Sequence, residues 1–286
     1  MANEKSLVEL LDLEQIEVNL FRGDSRDIGS MNVFGGQVLG QALNAAIRTV
    51  ESERFVHSLH AYFLLPGDMK APILYEVDRI RDGRSFVTRR VVAIQHGKAI
   101  FNLAASFQKV EEGPTHHSQM PQVPGPEGLP TMNDLRKEIG QQLPPRFARF
   151  FNQEWPIEVR PIDEVNPLKP EKREPRKHVW MRANESLPAD IDFHKCVLAY
   201  ASDFNLLSTA LLPHAISYMT PGLQAASLDH AMWFHRPFKA DQWLLYTMES
   251  PNMSNARGLG IGEIYTQEGE LVATVAQEGL LRLRKG

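Results

Sequence analysis

The sequence predicts an α+β fold in which one unit of helix and antiparallel sheet occurs twice. Each half of the chain contains a long apolar helix followed by several strand-like runs. Prolines separate the halves, since 12 of the 19 lie between Pro114 and Pro175. The glycine of a hairpin turn also recurs, because Gly97 and Gly269 stand 172 residues apart. A duplicated unit with a proline-rich connector accounts for all three observations.

The predicted elements follow the same order in both halves. In the first half, the segment VFGGQVLGQALNAAIRTV (33–50) predicts a helix whose Gly and Ala residues let another backbone approach closely. In the second half, a helix is predicted from about His194 to Leu212, ending before Pro213. Strand-like runs follow at 55–65, 72–81, 85–95 and 99–109 in the first half, and near 224–236, 242–250, 256–266 and 271–283 in the second.

A sheet that wraps a central helix defines the hotdog fold, so two such units in one chain predict a double hotdog. The dipeptide His60-Ala61 matches His230-Ala231 at a spacing of 170 residues, which supports the duplication. The predicted units are an N-terminal repeat at 1–112, a connector at 113–155 and a C-terminal repeat at 156–286. Within the connector, the segment TMNDLRKEIGQQL predicts one short helix.

The composition is that of an ordinary globular protein, with 43% hydrophobic and 23% charged residues. A net charge of −4 gives no support for nucleic-acid binding, which usually shows a basic surplus. The single cysteine, Cys196, excludes an intramolecular disulfide and a multi-thiolate zinc site. The N terminus lacks a long apolar core and predicts no signal peptide. Asp203 and Asn205 interrupt the apolar run at 196–212, which predicts a buried helix, no membrane partner and a cytoplasmic protein.

Several familiar site signatures are missing from the sequence. No G-x-S-x-G motif occurs, which argues against a serine hydrolase with a nucleophile elbow. No P-loop is present either. Gly258, Gly260 and Gly262 alternate within a strand-like run, so they predict close packing and not a dinucleotide-binding loop.

The histidines do not form an evident ligand set. His57 and His60 stand an odd number of residues apart on a predicted strand, as do His230 and His235. Successive side chains of a strand alternate between faces, so the members of each pair are predicted to point to opposite faces. The sequence therefore predicts no metal site, and it predicts no cofactor.

One charged residue, Asp203, lies within the apolar run CVLAYASDFNLL at 196–207. A buried carboxylate costs free energy unless it is paired or hydrogen-bonded, and buried titratable groups are frequent at working sites. A catalytic carboxylate and a structural Asp satisfied by its surroundings both fit this pattern. In the duplication, the stretch around Asp203 corresponds to 34–36, and Gln277 corresponds to Ala105. Both polar residues are therefore predicted to occur in the second copy alone.

Five segments of the sequence resemble the acyl-CoA thioesterase II family. They are LFRGDSRDIG, NVFGGQVLGQAL, VHSLHAYFLLPGD, LDHAMWFHRPF and SNARGLGIGEIYTQEGELVATVAQEG. The resemblance implies a double hotdog subunit that assembles into homodimers or homotetramers and hydrolyses acyl-CoA thioesters with a catalytic set of Asp, Thr or Ser, and Gln. Those roles fall on Asp203, Ser227 and Gln277, with Ser at a position where some relatives have Thr.

The chemistry suits these three residue types. A thioester needs an attacking water, a proton acceptor and charge stabilisation, and its thiolate leaves readily because a free thiol has a pKa of about 8.5. Apolar surroundings raise the pKa of a carboxyl group toward working pH, which suits Asp203 as a general base. Ser227 and Gln277 are expected to orient the water. Asp229 is a rival carboxylate, because strict alternation puts it on the same strand face as Ser227.

The phosphates of CoA need cations or backbone donors near the mouth of the pocket. Arg84, in DGRSF, and Arg257, in SNARGLG, begin equivalent strands in the two halves and are the candidate substrate-binding residues. For both, an ordinary charge at a strand end is the alternative interpretation.

Two other functions remain open at this point. Hotdog hydratases and dehydratases resemble a G-D-x-N-P-x-H pattern, whereas here Ser202-Asp203-Phe204-Asn205 is followed by two leucines. Both the Pro and the His of that pattern are missing, so one base is absent. The second alternative is a non-catalytic protein that binds acyl-CoA, because a fold alone does not establish turnover.

Overall fold

The computed structural model describes residues 5–140, 153–163 and 166–284. In the N-terminal half, a short helix and two strands precede the central helix, and four long strands follow it. These elements are α1 (Leu7–Leu11), β1 (Glu14–Glu17), β2 (Leu20–Gly23), α2 (Gly35–Ile47), β3 (Arg54–Phe63), β4 (Ile73–Asp82), β5 (Phe86–Gln95) and β6 (Lys98–Lys109). The four long strands match the four predicted runs.

The C-terminal half repeats this order, with a 3-10 helix added after its central helix and with the first long strand divided into two. A helix of the connector comes first, followed by the strands and helices of the half. These elements are α3 (Met132–Gly140), β7 (Ile157–Pro161), β8 (Arg176–Ala183), α4 (Ile191–Ser202), a 3-10 helix (Leu206–His214), β9 (Leu223–Ser227), β10 (Asp229–Phe234), β11 (Leu244–Ser254), β12 (Arg257–Thr266) and β13 (Leu271–Leu283).

All of these strands belong to one antiparallel sheet that runs through both halves. Its order is β1-β2-β4-β5-β6-β3-β10-β13-β12-β11-β8-β7, and β9 pairs with β13 beside β10. The helix α2 packs against β2 to β6, the 3-10 helix packs against β8 and β11 to β13, and α4 packs against α2. The α+β prediction of two helix-and-sheet units is confirmed.

The central helices α2 and α4 pack backbone against backbone in opposite directions. A Cβ on Gly36 would lie 2.2 Å from the carbonyl oxygen of Tyr200, and one on Gly40 would lie 2.9 Å from that of Cys196. Any larger residue at Gly36 would force the helices apart. The close approach predicted from the Gly-rich helix is therefore present, and its partner is the central helix of the other half.

The prediction of one helix from His194 to Leu212 is wrong. The α-helix ends at Ser202 with Asp203 as its C-cap, and Asn205 adopts a left-handed conformation with φ of 70°. A 3-10 helix then continues past Pro213 to His214. The apolar residues after the break have no α-helical period, so the sequence pattern could not reveal the interruption.

The two halves meet where β3 pairs with β10. His60 lies opposite Ala231, and Ala61 lies opposite His230. The predicted equivalence of His60 with His230 is wrong, because His60 is exposed on the outer face and His230 is completely buried. A register shift at His57 in β3 moves the alternation by one residue. The same shift puts His57 on the outer face with His60, so these two histidines do not point to opposite faces.

The glycines that the sequence singled out have the expected structural roles. Gly97 and Gly269 adopt positive φ angles of 71° and 95° in equivalent hairpin turns. A Cβ on Gly258, Gly260 or Gly262 would lie within 2.8 Å of the side chain of Ala210, Leu206 or Tyr246, respectively. The alternating glycines of β12 therefore let the 3-10 helix and β11 pack tightly on the sheet.

The connector covers the outer face of the C-terminal sheet. Trp180 donates a hydrogen bond from Nε1 to the carbonyl oxygen of Pro124 at 2.8 Å, and Ser118 Oγ lies 2.8 Å from Tyr265 Oη. The predicted connector helix is present as α3, and residues 141–152 of the connector lie outside the described residues. The predicted limits of the repeats, 1–112 and 156–286, stay a prediction.

One helical segment, Ile191–His214, is long and apolar enough to cross a membrane. Of its most apolar stretch, 78% is buried inside the protein, which is typical of the core helix of a globular protein.

Candidate active site

The structure brings Asp203, Ser227 and Gln277 together at one point. Gln277 Nε2 donates to Asp203 Oδ1 at 2.6 Å and lies 3.1 Å from Ser227 Oγ. Gln277 is completely buried on β13, Ser227 ends β9, and Asp203 follows α4. Because one amide nitrogen bonds both other side chains, the three residues form a single hydrogen-bonded group.

Asp203 also contacts the first half of the chain. The backbone N–H of Gly36, in the first turn of α2, donates a hydrogen bond to its carboxylate. The N-cap of that helix, Phe34, supplies no side-chain cap. A carboxylate at a helix N terminus is stabilised by the helix dipole and by unpaired N–H groups. Asp203 therefore takes the place of a capping side chain for α2, and the site is built from both repeats.

Burial raises the pKa of the Asp203 carboxyl above its usual value. Hydrogen bonds from Gln277, the Gly36 N–H and Ser227 favour the charged form and offset part of this effect. The result is a carboxylate that is more basic than an exposed Asp and still held in one geometry. This is the combination that general-base chemistry requires.

The other titratable groups around Asp203 are neutral near neutral pH. Burial and the charge of Asp203 raise the pKa values of Tyr200, Tyr218 and Tyr246. His230 lies behind the site, with Nε2 at 2.9 Å from Ser202 Oγ, and burial lowers its pKa to about 3. Asp203 is thus the one charged group among these neighbours.

The predicted orientation of Asp229 is wrong. Ser227 pairs with Gly279, whereas Ala231 pairs with Ala276, so three residues of one strand face two of β13. This extra residue reverses the alternation between β9 and β10. Asp229 therefore points away from Ser227 and accepts a hydrogen bond from the backbone N–H of Glu278 at 2.7 Å.

The correspondence of Asp203 with residues 34–36 is also wrong. By element order α4 is the counterpart of α2, so Asp203 corresponds to Arg48, which directly follows α2. The 3-10 helix (Leu206–His214) has no counterpart in the first half, and its length displaced the alignment. Because α2 and α4 run in opposite directions, 34–36 lie against Asp203 as contact partners.

The equivalent end of the first repeat is filled by other side chains. Ala105 stands at the position of Gln277 and pairs with Arg89 of β5. Arg89 is buried, and its Nε donates to Thr49 Oγ1 at 2.9 Å. An arginine and a threonine thus occupy the space in the first repeat that the polar group occupies in the second.

The two candidate arginines lie at different ends of the sheet. Arg257 begins β12 and forms an ion pair with Glu278, the residue after Gln277, with Nε at 3.0 Å from Oε1. Arg84 is exposed in the turn between β4 and β5, and its carbonyl oxygen accepts a hydrogen bond from Arg54. Since Arg54 begins β3 and the end of that strand approaches Asp203, the strand separates Arg84 from the site by about 30 Å.

In the part of the chain that the structure describes, neither a metal centre nor the cavity beside the start of α4 coincides with the three residues. Within the described ranges, no group of three or more His, Cys, Asp or Glu side chains is arranged to hold a metal ion. A cavity of about 720 Å³ lies at the opposite end of α4, beside Ile191 and His194. Asp203, Ser227 and Gln277 do not line it.

The sequence did not reveal two parts of this site. Gly36 contributes a backbone donor, and the Gly-Gly pair at the start of α2 was the available signal. The aromatic rings of Phe34 and Phe204 stack with their centroids 4.4 Å apart. Phe34 lies two residues before Gly36 and Phe204 directly follows Asp203, so both rings lie beside the contact between Gly36 and Asp203. No local pattern connects these two rings, which are distant in the sequence.

Comparison with known proteins identifies the family. Residues 22–108 match the acyl-CoA thioesterase N-terminal domain, and residues 147–280 match the acyl-CoA thioesterase family. Acyl-CoA thioesterase 2 of Haemophilus influenzae is 43% identical over 277 residues, which cover 97% of each chain. Acyl-coenzyme A thioesterase 8 of Homo sapiens is 42% identical, with coverage of 96% of this chain and 88% of that protein.

A solved structure agrees with these sequence relatives. The crystal structure of acyl-CoA thioesterase II TesB2 from Mycobacterium marinum superposes with a TM-score of 0.80 at 45% identity, covering 98% of this chain and 100% of that one. Dehydratase domains share the fold alone, with 10% identity and a TM-score of 0.55. The chain is therefore a double hotdog protein of the acyl-CoA thioesterase II family, a hydrolase of acyl-CoA thioesters.

Proposed function

We propose that Asp203 is the general base of this hydrolysis and that Ser227 and Gln277 orient the attacking water. The observation that supports this most directly is the hydrogen-bonded group itself, in which Gln277 Nε2 contacts both Asp203 Oδ1 and Ser227 Oγ. Asp203 removes a proton from the water molecule as the water oxygen attacks the carbonyl carbon of the thioester. CoA then leaves as a thiolate, which needs no strong acid because its thiol pKa is about 8.5.

The two neutral partners divide the work by their hydrogen-bonding capacity. Gln277 uses its amide N–H groups on Asp203 and Ser227, so the Ser227 hydroxyl keeps its own proton to donate. Gln277 Oε1 is buried and has no hydrogen-bond partner in the described part of the chain. It is available to accept from the water, which would fix the direction of the oxygen lone pair.

The N terminus of α2 contributes the electrostatic part. Its N-cap residue, Phe34, supplies no side-chain hydrogen bond, and Gly36 in the first turn points its N–H at Asp203. Negative charge moves from the carboxylate to the thioester oxygen in the transition state. A helix N terminus a few ångströms away stabilises that charge without rearrangement.

A nucleophilic role of Asp203 is the alternative mechanism, and isotope labelling separates the two. In a single turnover in ¹⁸O-water, direct attack by water puts the label into the fatty acid and leaves the protein unlabelled. A mixed anhydride opened at the carboxylate carbon puts the label into Asp203. We expect peptide mass spectrometry to find Asp203 unlabelled, and label there would overturn the general-base mechanism.

Further proposals concern the substrate-binding arginines and the location of the protein. Arg257 forms an ion pair with Glu278, the residue that follows Gln277 in the chain. We propose that Arg257 contacts a CoA phosphate. Arg84 stays a prediction without a contact to the site. We also propose a cytoplasmic location for this enzyme, whose long apolar helical segment is largely buried inside the protein.

We propose a homodimer or homotetramer as the assembled form. The outer edge of β9 and the strand β1 are exposed, and exposed edges invite pairing with another chain. Light scattering at micromolar concentration is expected to give a mass that is a multiple of 32.3 kDa. A stable species at the mass of one chain would contradict the proposal.

A further inference from the structure

An aromatic column connects the candidate active site to the connector. The ring of Phe204 stacks on Phe34 at a centroid distance of 4.4 Å and on Trp155 at 4.5 Å, with interplanar angles of 26° and 27°. Beyond Trp155, the guanidinium carbon of Arg136 lies 3.4 Å from the ring centroid. Phe204 is therefore enclosed on both faces, and the three rings with Arg136 form one continuous stack.

The column begins at Phe34 and Phe204, the two residues beside the contact between Asp203 and Gly36. Phe204 directly follows Asp203 in the chain, and Phe34 directly precedes the Gly35-Gly36 pair. The Gly36 N–H donates to Asp203, and a Cβ on Gly35 would lie 2.8 Å from Asp203 Oδ2. Any movement of Phe204 relative to Phe34 must therefore move Asp203 relative to the N terminus of α2.

We propose that Trp155 is a positioning residue for the thioesterase reaction. By holding Phe204 against Phe34, it keeps Asp203 in place against Gly36 and Gln277 and keeps water away from the carboxylate. The inference rests on the proposed role of Asp203 as general base. It gives the connector, which is otherwise outside both repeats, a direct part in catalysis.

The surroundings of Trp155 explain why its size matters. Phe204 and Trp155 are 6% and 7% exposed. A cavity of about 160 Å³ has Trp155 in its wall, together with Ile157 and Asn184. A cavity of that size with polar groups in its wall can hold water. Trp155 lines this cavity and also stacks on Phe204, which does not line it. Truncating Trp155 would therefore open a path for water to the residue next to Asp203.

The pH dependence provides a readout that a purely structural role would not change. Asp203 must be ionised to act as a base, so activity is lost as the pH falls through its pKa. Burial raises that pKa, and admitting water would lower it toward the usual value of about 3.9. Tyr200 on α4, Tyr218 after the 3-10 helix and Tyr246 on β11 face Asp203 and have raised pKa values, so they stay neutral there.

The nearest imidazole does not interfere with this readout. His230, on β10, has its pKa lowered to about 3 by burial and contacts Ser202. Arg26 interacts electrostatically with Tyr200. The acid limb of the pH profile therefore reports Asp203.

The experiment compares the full-length variants Trp155→Ala and Trp155→Phe with the wild-type enzyme. Trp155→Ala is expected to lower kcat by about 10- to 100-fold with little change in KM, and to move the midpoint of the acid limb to lower pH. Trp155→Phe keeps an aromatic ring on Phe204 and is expected to have a kcat and an acid-limb midpoint close to those of the wild-type enzyme. Trp180→Ala is the control, because Trp180 is also buried against the connector and lies on the outer face of the sheet.

The outcomes separate this inference from the assignment of Asp203. A Trp155→Ala enzyme whose acid limb has the wild-type midpoint would overturn the role of Trp155. So would the same changes in kcat and midpoint in Trp155→Phe or Trp180→Ala as in Trp155→Ala. If circular dichroism shows that Trp155→Ala does not fold, Trp155→Leu fills the space without a stacking ring and serves for the same comparison. Full activity of Asp203→Asn would instead show that the general-base assignment has failed.

Discussion

Replacing Asp203 by asparagine is expected to lower kcat by roughly 10²–10⁴-fold, the range for removal of a general base. Asparagine has almost the same shape, and its side-chain oxygen can still accept a hydrogen bond from Gln277 Nε2. The variant therefore removes the basicity of the side chain and retains its shape and the hydrogen bond from Gln277. The measurement is the release of CoA thiol, followed with a chromogenic thiol reagent at saturating acyl-CoA.

The companion variants test how the three residues share the reaction. Ser227→Ala and Gln277→Ala are each expected to reduce kcat less than Asp203→Asn, because they orient the water without accepting its proton. Asp229→Asn is the matched control, since Asp229 is a neighbouring carboxylate that points away from the group and bonds the backbone of Glu278. Near-normal turnover by Asp203→Asn together with loss in Asp229→Asn would reverse the assignment.

Replacing Gly36 by alanine is expected to lower both stability and activity. The new Cβ would lie 2.2 Å from the carbonyl oxygen of Tyr200 and 2.5 Å from the ring of Phe34. A backbone oxygen in a packed helix cannot move aside cheaply, so α2 and α4 must separate. Overpacking of this kind costs about 1–3 kcal/mol, occasionally more. The separation also withdraws the Gly36 N–H from Asp203, so kcat is expected to fall by about 10²-fold.

Thermal unfolding and thiol release on the same preparation check this result. Gly113→Ala is the control, because a Cβ on Gly113 meets no heavy atom within 4 Å, so neither quantity is expected to change. A Gly36→Ala enzyme with wild-type stability and turnover would show that the two central helices tolerate a larger separation than their contact indicates.

The positions of the strands and turns along the chain could be read from the sequence because their signals are local. The alternation of apolar residues defined the runs that became β3 to β6 and β11 to β13. Gly97 and Gly269 marked the hairpin turns because glycine, which has no Cβ, adopts positive φ at no steric cost. These features depend on residues within a few positions of one another, and tertiary contacts had little to change.

The predictions of which strand face a side chain occupies failed in two places, in each case because of a single extra residue in the strand. A shift at His57 in β3 and one extra residue between Ser227 and Ala231 each reversed the faces of the residues beyond them. A one-residue shift exchanges the buried and exposed sides of a strand, because the side-chain period is two. The orientation of Asp229 and the match of His60 with His230 were wrong for this reason.

The sequence by itself determined the duplicated helix-and-sheet order, and its resemblance to the acyl-CoA thioesterase II family pointed to Asp203, Ser227 and Gln277. Only the tertiary structure decided that the helix breaks at Asp203 and that α2 of the other repeat donates its Gly36 N–H there. Only the fold, too, placed Trp155 on Phe204. These contacts join residues far apart in the chain, and their geometry depends on how two antiparallel helices and a connector pack, which no local period encodes.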